Sequence, residues 1–159
     1  MVHYVKGNLL DSNCDYICHQ VNCQGAMNSG IAKQIRERWP EVYESYRSSY
    51  EYYIRRGFPP ENILGNVAAI RVDKRCGYVV NMYAQATYGY DGMRYTSYDA
   101  FANCLNQLSS IVPVGKAIAF PKNIGCCRGG GNWKVISALI EEILGEEYDV
   151  YIYELEDVQ

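Results

Sequence analysis

The chain reads as an α/β protein: a three-layer α/β/α sandwich around a mixed central sheet. Three observations predict it. Short β-rich runs alternate with amphipathic stretches in the order β, β, α, α, β, β, α, β, α, β, which is the pattern of strands joined by crossover helices. The run 16–21, Tyr-Ile-Cys-His-Gln-Val, is nearly continuous in apolar character, as a strand covered on both faces requires. The runs 66–72 and 78–83 lie close enough to pair as a hairpin, so the sheet is mixed rather than wholly parallel.

Each element has its own signal. Residues 2–5 form a short strand ended by Gly7, and Asn8 to Asp11 a turn or short helix. After strand 16–21 comes a loop bounded by Gly25 and Gly30, then a helix over about 29–39 for which Ser29 is the capping candidate. Pro40 either ends that helix or opens the next at its first position. Trp39, Tyr43, Tyr46, Tyr50 and Tyr53 are spaced by four, three, four and three residues, which makes one stripe on a helix. Arg55-Arg56-Gly57 marks its end and Pro59-Pro60 the linker. Strand 66–72 is followed by a polar turn, Asp73-Lys74-Arg75, and by strand 78–83. Residues 84–95 form a loop rich in glycine and tyrosine, long enough to be functional. Thr96 or Ser97 caps a helix to about Ile111, with Phe101, Leu105, Leu108 and Val112 on one face. Strand 116–120 leads into a second glycine-rich loop, 121–131. Asn132 caps a last helix with Ile136, Leu139, Ile140 and Ile143 on its buried face, Gly145 closes it, and a strand follows over 148–155.

Length and composition narrow the function classes. The 159 residues suit a single domain, 1–159, with a proper core. Apolar residues make up 48% of the chain, which argues against disorder. No run approaches a membrane span and the N-terminus lacks the layout of a signal peptide, so a cytoplasmic protein with no membrane partner is expected. The net charge of −3 argues against general nucleic-acid binding by counterion release, and Lys33, Arg36 and Arg38 read as a solvated face. The seven cysteines form no Cys-x-x-Cys pair, and His3 and His19 stand in no ligand-like spacing with them, so free thiols and no metal are expected. Cys126-Cys127 reads either as a redox-sensitive pair or as small residues filling a tight turn.

Two strand–loop–helix junctions with glycines make the arrangement that cradles phosphates. In the first, Gly25 and Gly30 let backbone amides approach a ligand without a Cβ in the way. The spacing Gly25-x-x-x-x-Gly30 is that of a P-loop, but Ile31-Ala32 stands where Lys and Ser or Thr are required, which excludes the triphosphate chemistry of that motif. Neither loop reads Gly-x-Gly-x-x-Gly, and the chain has no Gly-x-Ser-x-Gly elbow. His19 lies within a strand, where a lone histidine is more often a packed core residue than a base.

Four segments in the right order resemble the macrodomain family: Lys6 to Leu10; His19 to Gly25 with Met27-Asn28-Ser29-Gly30-Ile31-Ala32; Val80 to Gln85; and the loop from Pro121 to Trp133. The resemblance covers essentially the whole chain, and the branch it points to holds the terminal ADP-ribose protein glycohydrolase and the yeast ADP-ribose-1''-phosphate phosphatase. It implies ADP-ribose, free or on a macromolecule, as the ligand, with no cofactor, and a monomer is expected. By resemblance, Asn8 stands where the family has an Asp on the adenine amino group, Leu9 lines the adenine pocket and Tyr153 borders it. Asn22 is implied near the distal ribose, and the loop with Gly25, Met27, Asn28, Ser29, Gly30 and Ile31 wraps that ribose and one phosphate. Pro121, Ile124, Gly125, Cys126, Cys127, Arg128 and Gly129 belong to the loop whose amides meet the diphosphate. Gln85 replaces the lysine of the glycohydrolase branch and Gly129 its aspartate, so a covalent lysine adduct is ruled out at that site. The expected function is ADP-ribose binding with hydrolysis of a 1''-linked derivative, of the ADP-ribose-1''-phosphate phosphatase or ADP-ribosyl-ester hydrolase type. Asn81 is the expected orienting residue and Asp91 the proton-transfer residue, with His19 as the other candidate base. The alternative is a reader that binds ADP-ribose without turnover.

Overall fold

Among the described residues, six strands form one sheet in the order β1-β6-β5-β2-β4-β3: β1 (Val2–Lys6), β2 (Tyr16–Val21), β3 (Val67–Arg71), β4 (Tyr78–Tyr83), β5 (Ala117–Pro121) and β6 (Asp149–Glu154). The structure is a computed structural model that describes residues 1–72 and 77–155. Five strands run parallel, and β3 joins as an antiparallel edge through its hairpin with β4. The turn expected at Asp73-Lys74-Arg75 lies outside the described residues.

Among the described residues, four α-helices cover the sheet. On one face, α1 (Gly30–Arg38) and α2 (Pro40–Arg56) close over Ile17, Val21, Val79, Tyr83 and Ala119. On the other, α3 (Tyr98–Ile111) and α4 (Trp133–Leu144) close over Cys18, Val80, Ile118, Phe120, Val150 and Ile152. The alternation of period two along each strand divides these residues between two cores, which gives the three layers. Central strands β2 and β5 face a core on both sides, which is why they lack a polar stripe.

The helices follow their sequence signals closely. Pro40 stands at the first position of α2, where its missing N–H leaves nothing unsatisfied. Trp39 and Tyr46 of the aromatic stripe are buried, whereas Tyr43, Tyr50 and Tyr53 lie at its partly exposed margin. Ser97, not Thr96, caps α3, accepting from Ala100 N at 3.1 Å, and Asn132 caps α4, accepting from Lys134 N at 2.9 Å. Ser29 departs from expectation: it occupies the N-cap position of α1, but its side chain makes no capping bond. Short 3-10 turns stand at Leu9–Asp11 and Pro60–Ile63. Among the described residues, no helix is long and apolar enough to cross a membrane.

Candidate functional site

The C-terminal ends of β2, β4 and β5 open into a cleft of about 350 Å³. Parallel strands leave such a crevice because their crossover helices start beyond the strand ends. Its walls are the loop after β2 with the start of α1, the loop after β4 around Tyr88 to Tyr90, and the loop after β5 from Lys122 to Gly129.

The first wall is built around Asn22. Its Oδ1 accepts from Gln24 N at 2.9 Å and Ala26 N at 3.4 Å, and its Nδ2 donates to Ala26 O at 2.9 Å. The buried Tyr46 hydroxyl, 2.7 Å from both Asn22 O and Oδ1, donates to the same residue from α2. Burial raises the Tyr46 phenol well above its ordinary pKa, so it stays a donor. Gly25 turns the loop at φ +74, a left-handed conformation that disfavours a side chain. Because Ser29 leaves α1 uncapped, the first-turn N–H groups of Gly30, Ile31 and Ala32, all lining residues, donate to no acceptor among the described residues. They carry the positive end of the helix dipole.

The opposite wall repeats the arrangement in a loop. In the segment 124–129, Ile124 N donates to Pro121 O and Cys126 N to Asn123 O. The N–H groups of Gly125, Cys127, Arg128 and Gly129 have no acceptor among the described residues, and these four residues line the cleft, whereas Cys126 does not. Successive free amides of this kind form a nest for an anion. Lys122, ion-paired with Glu154 at 3.2 Å, and Arg128 are the cations in the lining, which contains no carboxylate among the described residues. The Arg128 guanidinium lies 4.6 Å from the Tyr90 ring centre, so the second and third walls meet at the mouth.

At the floor, His19 lines the cleft while only 1% exposed. Its Nε2 is 2.5 Å from Asn81 Oδ1, across the β2–β4 pairing that sets the two residues side by side. Its Nδ1 is buried with no partner among the described residues. Burial pushes the imidazole pKa down to about 4, against a smaller opposing effect of the Asn81 bond, so the ring is neutral at pH 7. Gln20, on the opposite face of β2, donates through Nε2 to Gln85 Oε1 and Thr96 Oγ1, each at 2.8 Å.

Of the residues expected at the site, Asn22, Asn28, Ser29, Gly30, Ile31, Gln85, Pro121, Ile124, Gly125, Cys127, Arg128 and Gly129 line this one cleft. Met27 is fully buried in the core beneath it, and Cys126 turns its thiol to Ile124 O at 3.3 Å. Gly25 shapes the loop from behind, against Arg47 and Tyr50. Asn8, Leu9 and Tyr153 stand outside the lining: Asn8 Oδ1 accepts from Leu10 N at 3.0 Å, Leu9 is buried, and Tyr153 O accepts from Lys122 N at 2.8 Å at the cleft's edge. The two residues expected to carry chemistry do not line the cleft. Asn81 is fully buried behind His19, a place that orients the imidazole and touches nothing in the cleft. Asp91 sits in the exposed loop, where Tyr95 OH donates to its carboxylate at 2.7 Å and Met93 N at 3.1 Å. The Tyr95 bond, and then that of Met93, hold its pKa below the ordinary carboxylate value. Sequence reasoning missed Gln20, Tyr88, Tyr90 and Lys122. The signals available were Gln20 beside His19 in a mostly apolar strand, and the places of Tyr88, Tyr90 and Lys122 in the two loops already singled out, 84–95 and 121–131.

No family model matches the chain. It is 27% identical over 148 residues to a 17.5 kDa protein of the tk-vs intergenic region of Enterobacteria phage T4, covering 89% of this chain and 88% of that protein. It is 37% identical over 49 residues to the DNA ADP-ribosyl glycohydrolase of Mycobacterium tuberculosis, a match that takes in 31% of this chain and 14% of that protein's length. Among solved structures, the macrodomain of Thermus aquaticus DarG superposes with a TM-score of 0.76 at 23% identity, over 97% of this chain and 98% of the other. Thermosipho africanus DarTG, solved in complex with ADP-ribose, gives 0.74 at 17% identity, over 99% of this chain and 43% of that one. Strand order, layers and these likenesses over nearly the whole length agree: the chain has the macrodomain fold.

Proposed function

We propose that the chain binds ADP-ribose in the cleft and hydrolyses a bond to C1'' of the distal ribose. The observation that carries the reading is the convergence of two sets of unpartnered backbone N–H groups on one cleft whose lining holds Arg128 and, among the described residues, no carboxylate. The start of α1 takes one phosphate and the 125–129 nest the other. The ADP-ribose complex of Thermosipho DarTG supports the choice of ligand. Tyr153, with Asn8 and Leu9, lies toward the Lys122 edge and is assigned to the adenine end, and the floor at His19, Asn22 and Gln85 to the distal ribose.

For turnover, His19 is the proton acceptor. Asn81 Oδ1 accepts the Nε2 proton, which leaves the buried, unpartnered Nδ1 with the lone pair that takes a proton from a water admitted to the floor on opening of the cleft. The water oxygen bonds to C1'', the bond from C1'' to the leaving atom breaks, one water proton passes to Nδ1, and the leaving atom takes its proton from solvent, to which the imidazolium returns its own. Asn81 acts through His19, as the orienting role expected of it requires, and Asp91 is given no part. Two substrates follow: ADP-ribose-1''-phosphate, from the resemblance, and ADP-ribosylated DNA, from the name of the mycobacterial relative. A second reading, a reader without turnover, is favoured by Gln85, which is tied to Gln20 and Thr87 and offers no nucleophile.

Calorimetry with ADP-ribose, ADP and AMP tests the ligand: ADP-ribose is expected to bind at least tenfold tighter than AMP, and equal affinities would sink the assignment. Product release from both substrates is expected for the wild type and is reduced at least 100-fold in His19→Gln. Binding without release from either substrate leaves the reader, and equal rates in the two proteins remove His19 from the chemistry.

A further inference from the structure

We propose that Thr96 is the positioning residue that holds the 125–129 nest open toward the cleft, and so sets its affinity for a diphosphate. The inference rests on the reading of that nest as an anion site. Thr96 is 2% exposed and lies outside the lining, at the end of the loop that precedes α3. It grips the nest at both ends. Its Oγ1 donates to Gly125 O at 2.7 Å, and its N–H donates to Gly129 O at 2.9 Å, beside Tyr95 N at 2.7 Å. Gly131 N adds a second bond to Gly125 O at 2.9 Å. With the carbonyls of Gly125 and Gly129 both drawn to this side, the free N–H groups of Gly125, Cys127, Arg128 and Gly129 are left for the cleft.

A hydroxyl is suited to the task because it donates once and still accepts. Thr96 Oγ1 gives its proton to Gly125 O and accepts from Gln20 Nε2 at 2.8 Å, and the same Gln20 amide also donates to Gln85 Oε1. One threonine thus joins strand β2, the loop after β4 and the loop after β5. The packing leaves no slack. A Cβ built on Gly129 would stand 2.4 Å from Thr96 Oγ1, and one on Gly125 2.7 Å from Gln20 Oε1. Donors fixed before the ligand arrives cost it less ordering than donors it must assemble.

The test compares wild type, Thr96→Val, which keeps the shape and removes the hydroxyl, and Thr96→Ser, which keeps the hydroxyl. Affinities for inorganic pyrophosphate and ADP-ribose are measured by calorimetry, with circular dichroism as the check on folding. Thr96→Val is expected to lose at least tenfold for both ligands, equivalent to about 1.4 kcal/mol, and Thr96→Ser to stay within about threefold of wild type. Amide chemical shifts of Gly125, Cys127, Arg128 and Gly129 are expected to move on addition of pyrophosphate in the wild type and far less in Thr96→Val. A folded Thr96→Val protein that binds both ligands like wild type overturns the proposal. If that variant does not fold, Gln20→Leu, which removes the donor to Oγ1, is read instead, and wild-type affinities there overturn it equally. Wild-type binding of pyrophosphate but not of ADP-ribose would overturn the proposed function while Thr96 keeps its role.

Discussion

His19 is the residue whose chemistry folding changes most. In the unfolded chain its imidazole takes a proton near pH 6.5, whereas in the folded protein burial delays this to about pH 4. A folded pKa below the unfolded one means that stability is complete above pH 6.5 and is lost as pH falls toward 4, because only the unfolded state binds the proton across that window. The shift is worth on the order of 3 kcal/mol at about 1.4 kcal/mol per unit. Urea unfolding at pH 7 and pH 4.5 is expected to show a loss of that order, absent in His19→Gln; equal losses in the two proteins would place the titration elsewhere. If His19 is also the proton acceptor, turnover stays level from pH 8 down to about 5. The sequence reading of His19 as a packed strand residue was half of the answer, since burial is what it displays and its place at the cleft floor is set by Asn81 across the sheet. Thr96 was legible only as a rival of Ser97 for capping a helix. Its bonds reach Gln20, 76 residues away, and Gly125, 29 away, and no periodicity connects such positions.

At the scale of elements, strands and helices were readable because each is patterned locally: β2 and β4 run over the expected residues, and other boundaries moved by a residue or two. What local pattern does not carry is the use made of a helix start. Ser29, Ser97 and Asn132 are all good capping residues at N-cap positions, yet two bond to their helices and Ser29 does not. The open start belongs to the helix that faces the cleft, where a capped amide would be lost to a ligand. Ser97→Ala is therefore expected to destabilise the protein by about 1 kcal/mol in urea unfolding, and Ser29→Ala by less than about 0.5 kcal/mol. A cost for Ser29→Ala as large as that for Ser97→Ala would mean that α1 is capped in solution.

For the whole molecule, alternating strands and helices settled the three layers, and with them the side on which a crevice opens, since parallel strands all end on one edge. Net charge was a poor guide to the site: the chain carries −3 overall, while among the described residues the cleft lining has two cations and no carboxylate. The thiols are divided in the same uneven way. Cys14, Cys18, Cys23 and Cys104 are buried in the two cores, and Cys126 is half-buried with its thiol pushed up to about 11 by burial. Cys127 alone among the described cysteines is exposed, and it stands on the cleft wall. An alkylating reagent is therefore expected to mark Cys127 first among them, and ADP-ribose to slow that reaction, as read by peptide mass mapping. Reaction at an unchanged rate under saturating ligand would place the ligand elsewhere. The wall of the cleft thus carries a built-in footprinting reporter: occupancy can be followed as a mass increment on one native side chain, with no substituted residue, no labelled ligand and no assumption about turnover.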